Sequence, residues 1–146
     1  MIIDELIGKD VLDLSTATSA GRVDDVVVDP QGRVARGIVI GKSAGDGTWL
    51  PWSDIKSIGP DAVTIDRSDV IVVAPNDLGP GCRLGGVFGR RVLTDEGREL
   101  GPLSTMEVDE GSGALTSLVL SDRRIMPDQL IGIGSYATVV HDPGVT

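Results

Sequence analysis

"LPWSDIKSIGPDAVTID", Leu50 to Asp66, returns in altered form as "MPDQLIGIGSYATVVHD", Met126 to Asp142, with Pro51 over Pro127, Ile58-Gly59 over Ile133-Gly134 and Ala62 over Ala137. Working outward, the echo extends in order through the chain. "RGIVIG" (Arg36 to Gly41) answers "TSLVLS" (Thr116 to Ser121), and "VVVDPQGRV" (Val26 to Val34) answers "MEVDEGSGAL" (Met106 to Leu115). "LIGKDVLD" (Leu6 to Asp13) answers "VFGRRVLT" (Val87 to Thr94), each followed by a turn and a glycine, Gly21 and Gly101. Four matches in one order, twice, define a tandem repeat, which has to be found before any fold is assigned.

Each copy reads as all-β. Its apolar runs are short, rich in Val and Ile, and punctuated by Gly, Pro and Asp, as short strands joined by tight turns are. Asp29-Pro30-Gln31-Gly32 has type I turn chemistry, since Asp can accept from the backbone two residues on and Pro pre-sets φ. Ile38-Val39-Ile40 and Leu118-Val119-Leu120 are continuously apolar, whereas Val63 and Ile65 alternate with Ala62, Thr64 and Asp66 as on a half-buried strand. Five or six such strands fit a small barrel, which would remove the free sheet edges. The best helix candidate is the turn after Pro51, with Ser53 placed to cap and Gly59 to stop it. The chain therefore divides into a first barrel over 1–75, a linker over 76–86 and a second barrel over 87–146. "APNDLGPGCRLGG" (Ala74 to Gly86), with four glycines and two prolines, has linker composition. The apolar "VIVVA" (Val70 to Ala74) reads as a strand that could stay in the first barrel or pair with the second.

Composition narrows the function. The 146 residues carry a net charge of −9, from 13 basic and 22 acidic groups. The charge is evenly spread: 7 basic and 12 acidic residues to position 75 give −5, and 6 and 10 beyond it give −4. Nucleic acids and anionic lipid surfaces are bound by clustered Lys and Arg, which a chain of this balance lacks. No apolar run reaches the length of a membrane span, and "MIIDELIGKD" is acidic where a signal peptide starts basic, so a cytoplasmic chain is expected. The single cysteine, Cys82, excludes an internal disulfide, and with one histidine, His141, there is no thiolate–imidazole metal set without carboxylates.

These segments resemble the PRC-barrel family, named for the cytoplasmic domain of the photosynthetic reaction centre H subunit and found also at the C-terminus of a ribosome-maturation factor. The resemblance rests on "LIGKDV", "VDPQGRVARGIVI" and "LPWSDIKSIGPDAVTI", and both copies carry it. It implies two tandem small PRC-like barrels packed together with little helix, a protein that works by contacting other proteins. The expected function is a non-enzymatic scaffold or adaptor without a cofactor, with a protein partner, no nucleic acid, no direct membrane insertion, and room for a homodimer. Two alternatives are a ribosome-assembly factor acting through a ribosomal protein, and a module binding a small ligand or metal in the cleft between barrels. Neither the H subunit's role nor the ribosome factor's is expected to carry over residue by residue.

No catalytic or metal residues are assigned. A nucleophilic centre would have to draw on His141 alone; Asp24, Asp25, Asp29, Asp109 and Glu110 read as turn and edge acids; and a carboxylate pair such as Asp95 with Glu99 reads as solvated hairpin residues rather than an acid–base couple. The candidate partner contacts are Trp49 and Trp52, which do not repeat in the second copy. Either the pair plugs the barrel end, or one ring anchors a partner, with Trp49 the more exposed because it follows the Gly-rich hairpin.

Overall fold

The computed structural model describes residues 1–31, 33–41, 48–73, 82–83 (backbone only), 87–134 and 136–141. The linker expected over 76–86 lies mostly outside these residues. Strands β1 (Asp10–Asp13), β2 (Thr18–Asp29), β3 (Val34–Gly41), β4 (Trp49–Pro51), β5 (Ser57–Ile58) and β6 (Ala62–Ile65) form a sheet in the order β4-β3-β2-β1-β6-β5, and β7 (Cys82–Arg83) adds to β2. Then β8 (Arg91–Thr94), β9 (Glu99–Val108), β10 (Leu115–Leu120), β11 (Arg124–Ile125), β12 (Leu130–Ile133) and β13 (Thr138–Val140) form a second sheet in the order β11-β10-β9-β8-β13-β12. The two orders are the same order, so the sequence repeat is a repeat of topology.

The turns and bulges repeat as well. Asp29 Oδ1 accepts from the Gln31 N–H at 3.0 Å, and Asp109 Oδ1 from the Gly111 N–H at 3.0 Å, so each hairpin is closed by an Asp side chain bonded two residues ahead. The β1–β2 register slips between Val11 and Leu12, and the β8–β9 register between Val92 and Leu93. Gly21 and Gly101 sit opposite Val11 and Val92 at φ 137° and 111°, a conformation that a side chain resists.

Four expectations change. First, the barrels are not closed: each sheet is an open path, with β4 and β5 at the ends of one and β11 and β12 at the ends of the other. The chain passes directly from β4 through Pro51, which has no N–H to donate, into a 3-10 turn, so β4 and β5 never run side by side. Second, the helix predicted after Pro51 is that single turn, Trp52–Asp54; Ser53 lies inside it and Ser57–Ile58 is already strand. Third, Val70 to Val73, the described part of the expected strand, is not a strand. A 3-10 turn spans Ser68–Val70, and Val72 then makes one antiparallel bridge to Trp49, which keeps it with the first sheet and covers the β4 edge. Fourth, the repeat needs no gap near Pro51. Ile38 pairs with Leu50 and Leu118 with Ile125, so Pro51 matches Met126, and Trp49 and Trp52 match Arg124 and Pro127.

The two sheets are joined by equivalent residues. Val34 and Ala114 hold the same place in β3 and beside β10 and meet in an antiparallel bridge. The Ala35 N–H donates to the Gly113 carbonyl at 2.8 Å, and the Leu115 N–H to the Arg33 carbonyl at 2.9 Å, the exchange a local two-fold demands. The arms exchange likewise. Ile2, six residues before Gly8, bridges Glu107 of β9; Arg83, six before Gly89, pairs with Val27 of β2. Each copy thus lends its leading segment to the other copy's sheet. One apolar core runs through both, from Ile3, Leu6, Val26 and Ile38 to Met106, Leu118 and Ile125. Copies of about 70 residues have little core of their own, and sharing one removes apolar area from water that neither sheet covers alone.

Candidate interaction surfaces

Both tryptophans are buried, Trp49 to 4 % and Trp52 to 6 % relative exposure. The expectation that Trp49 is an exposed anchor is therefore corrected. Alternation along β4 turns Leu50 into the common core and Trp49 to the other face, where its ring lies over Gly37: a Cβ there would stand 2.7 Å from the ring. The backbone of Val72 closes over it, with Trp49 and Val72 exchanging N–H···O bonds of 2.9 and 2.8 Å. In the second copy Ser117 replaces Gly37, and Arg124, in place of Trp49, donates to Glu107 and reaches Ser117 Oγ at 3.4 Å. A ring needs the glycine slot; a guanidinium does not.

Trp52 works between the copies. Its Nε1–H donates to the Glu110 carbonyl at 3.0 Å, and its indole edge closes on Gly113, whose added Cβ would lie 3.1 Å from the ring and 2.9 Å from the Ala35 carbonyl. Beside it runs an open groove of about 330 Å³ between Ile55, Lys56, Ser57 and Ile58 of the first copy and Glu110 and Gly111 of the second.

The remaining candidate groups are brought together in other ways. Asp95 and Glu99 go to separate partners: His141 Nδ1 lies 3.0 Å from Asp95 Oδ2, and Arg91 meets Glu99 at 3.6 Å, all on exposed side chains. Asp13, at the end of β1, is 3 % exposed and accepts from the Ser15 hydroxyl at 2.6 Å, the Ser15 N–H at 2.8 Å, the Ser68 N–H at 3.0 Å and the Ser68 hydroxyl. The Ser15 hydroxyl and then the Ser68 hydroxyl hold its carboxyl well below the usual carboxylate range, against the opposing effect of desolvation. Asp13 ties the end of β1 to the turn after β6; it is a structural tie. Among the described residues no three of His, Cys, Asp and Glu gather as a metal site would require.

Sequence reasoning missed the outer face of the last hairpin. Val63 pairs with Val11 and Thr138 with Val92, so Lys56, Asp61 and Thr64 of the first copy stand where Ile131, Tyr136 and Val139 stand in the second. The exposure matches position by position: two exposed residues and one half-buried in each copy. The chemistry does not match. On the first copy Lys56 pairs with Asp66 at 3.2 Å and the Ser57 and Thr64 hydroxyls meet at 2.6 Å. On the second, Ile131, Ile133, Tyr136 and Val139 line an open apolar concavity of about 480 Å³, and Tyr136 is 69 % exposed. The register that sets Ile58-Gly59 over Ile133-Gly134 already carries this signal.

The strand order, the exchanged arms and the paired bulges describe one small β module used twice. A family model for the PRC-barrel domain matches residues 1–71. Residues 1–71 are a PRC-barrel domain. The match ends at the turn that closes the first sheet, and the second PRC-like copy is recognised by its identical strand order rather than by the match. No curated protein matches the chain. Among the described residues no helix is long and apolar enough to cross a membrane.

Proposed function

We propose that this chain is a non-enzymatic interaction module: two PRC-like sheets locked into one body, with the second copy presenting the outer face of its last hairpin to another protein. One observation carries the reading. At three equivalent positions with equal exposure, the first copy has Lys56, Asp61 and Thr64 and the second Ile131, Tyr136 and Val139. The first copy folds with polar residues there, so the apolar set answers to something other than folding, and exposed apolar patches with an aromatic residue are the usual mark of a protein contact.

Photo-crosslinking in the native host tests it. A crosslinker at position 136 should give a defined protein adduct, and one at position 61, the matched polar site, should not. Equal yields from the two positions, or none from 136, would contradict the proposal.

A further inference from the structure

We infer that the inner surface of the first copy is shaped to accept a second-type copy and to reject another first copy, and that four residues decide this: Arg33 and Trp52 in the first copy, Gly113 and Pro127 in the second. Their equivalence is fixed by pairing. The exchange of Ala35 N–H to the Gly113 carbonyl for Leu115 N–H to the Arg33 carbonyl makes Arg33 the counterpart of Gly113, and both have left-handed backbone, at φ 54° and 77°. Trp52 and Pro127 each open the 3-10 turn that follows the outer strand, Trp52–Asp54 and Pro127–Gln129. The local two-fold therefore sets Arg33 against the turn at Pro127, and Gly113 against the turn at Trp52.

Size is complementary at both contacts. On one side the large residue comes from the hairpin: Arg33 reaches over the Pro127–Gln129 turn and donates to the carbonyls of Asp128 and Leu130 at 3.4 and 3.5 Å. On the other it comes from the turn: Trp52, 6 % exposed, lies against Gly113 and donates to the Glu110 carbonyl at 3.0 Å. Both large residues belong to the first copy and both small ones to the second. Each contact has one large and one small member only when a first copy meets a second.

Like pairings fail in opposite ways. A first copy on a first copy would put Arg33 where Gly113 lies. Its Cβ alone would stand 3.1 Å from the Trp52 ring and 2.9 Å from the Ala35 carbonyl. The rest of the side chain would have to pass the indole to reach the carbonyls of Ser53 and Ile55, which match those of Asp128 and Leu130. Forcing extra atoms into a filled interior is destabilising. A second copy on a second copy would put Gly113 against Pro127 and leave the space of the ring empty, which costs contacts instead. Selectivity of this kind combines a fit to the right partner with a clash against the wrong one. The two copies of one chain are thereby directed to each other, and contacts between first copies of different chains, which would join tandem chains end to end, are disfavoured.

The test is an exchange of the four residues in the full chain, read by denaturant unfolding. Gly113→Arg with Pro127→Trp gives the second copy the first copy's residues, so that large meets large at both contacts. Arg33→Gly with Trp52→Pro sets small against small; the backbone accepts this proline, because Pro51 already lies at ψ 144°. Each half-exchange should raise the unfolding constant at least about 10-fold. All four substitutions together restore one large and one small residue at each contact with the roles of the copies reversed, and should be at least about 10-fold more stable than the weaker half-exchange. Residues that matter only in their own surroundings would instead give losses that add. A fourfold variant no more stable than the weaker half-exchange overturns the proposal. If the half-exchanges do not fold, a smaller cycle decides: Gly113→Ala should cost at least about fivefold less in the unfolding constant beside Trp52→Leu, which keeps an apolar plug without the indole edge, than beside Trp52. Equal costs in the two backgrounds overturn it as well.

Discussion

Val34 and Ala114, equivalent residues of the two copies, face each other in an antiparallel bridge flanked by the symmetric pair Ala35 N–H to Gly113 carbonyl and Leu115 N–H to Arg33 carbonyl. The local two-fold passes through that bridge, and the residues around it are where the body is most easily broken. Gly113 has φ 77° and no room for a Cβ, which would meet the Ala35 carbonyl at 2.9 Å and the Trp52 ring at 3.1 Å. Gly97 has a similar φ of 82° with nothing within 4 Å. Gly97→Ala should cost about 1–2 kcal/mol from backbone strain alone, and Gly113→Ala more, about 3 kcal/mol. Denaturant unfolding of the two variants checks the order; equal losses would show that the contact with Trp52 contributes nothing.

The exchanged arms and common core make each copy dependent on the other. A fragment of residues 1–75 loses the β7 strand on Val27–Val28 and exposes the core side of Val26 and Ile38. It should melt about 10 °C or more below the full chain, since a loss of even 1 kcal/mol moves a domain of that size by several degrees. A fragment melting at the full-length temperature would refute the shared-core account.

Burial alters what is expected of the tryptophans. With Trp49 4 % exposed over Gly37, Trp49→Ala should destabilise the fold by about 3–5 kcal/mol. Trp52→Phe keeps most of the packing and removes the N–H to the Glu110 carbonyl, which should cost about 1–2 kcal/mol. If Trp49→Ala leaves the thermal midpoint unchanged, the buried placement of its ring is refuted.

The Asp13 tie predicts an acid response. Its carboxyl titrates lower in the folded chain than the ordinary value of 3.8, so its stabilising effect is complete above that pH and is lost progressively as pH falls below it toward the folded value. Asp13→Asn should lower stability at pH 7 and flatten the decline below about pH 4. A variant with the wild-type slope in that range would show that Asp13 is not the group responsible.

Much of the architecture was legible because the signals are local and repeated. Val63 and Ile65 alternate with half-buried and exposed neighbours and are both fully buried; Asp29 and Asp109 close their hairpins with their own side chains. Closure is not legible in the sequence because it depends on whether β4 and β5 reach each other, a question of length and of the turn at Trp52–Asp54 that no strand pattern contains. The one-residue misregister at Pro51 had the same root. Two prolines looked like a landmark, but pairing of Leu50 and Ile125 with equivalent partners sets the register.

That this protein is two copies of one β module can be read along the chain, because periodicity, turn chemistry and repetition are properties of neighbouring residues. Which side chains meet solvent, and which copy each segment serves, emerges only from packing in three dimensions. Trp49 is buried because a glycine twelve residues earlier and the backbone of Val72 happen to enclose it, and Arg83 belongs to the other copy's sheet because pairing is decided across space. The same holds for Ile131, Tyr136 and Val139. Their letters read as ordinary strand residues until the matched positions Lys56, Asp61 and Thr64 showed that this face is on the outside.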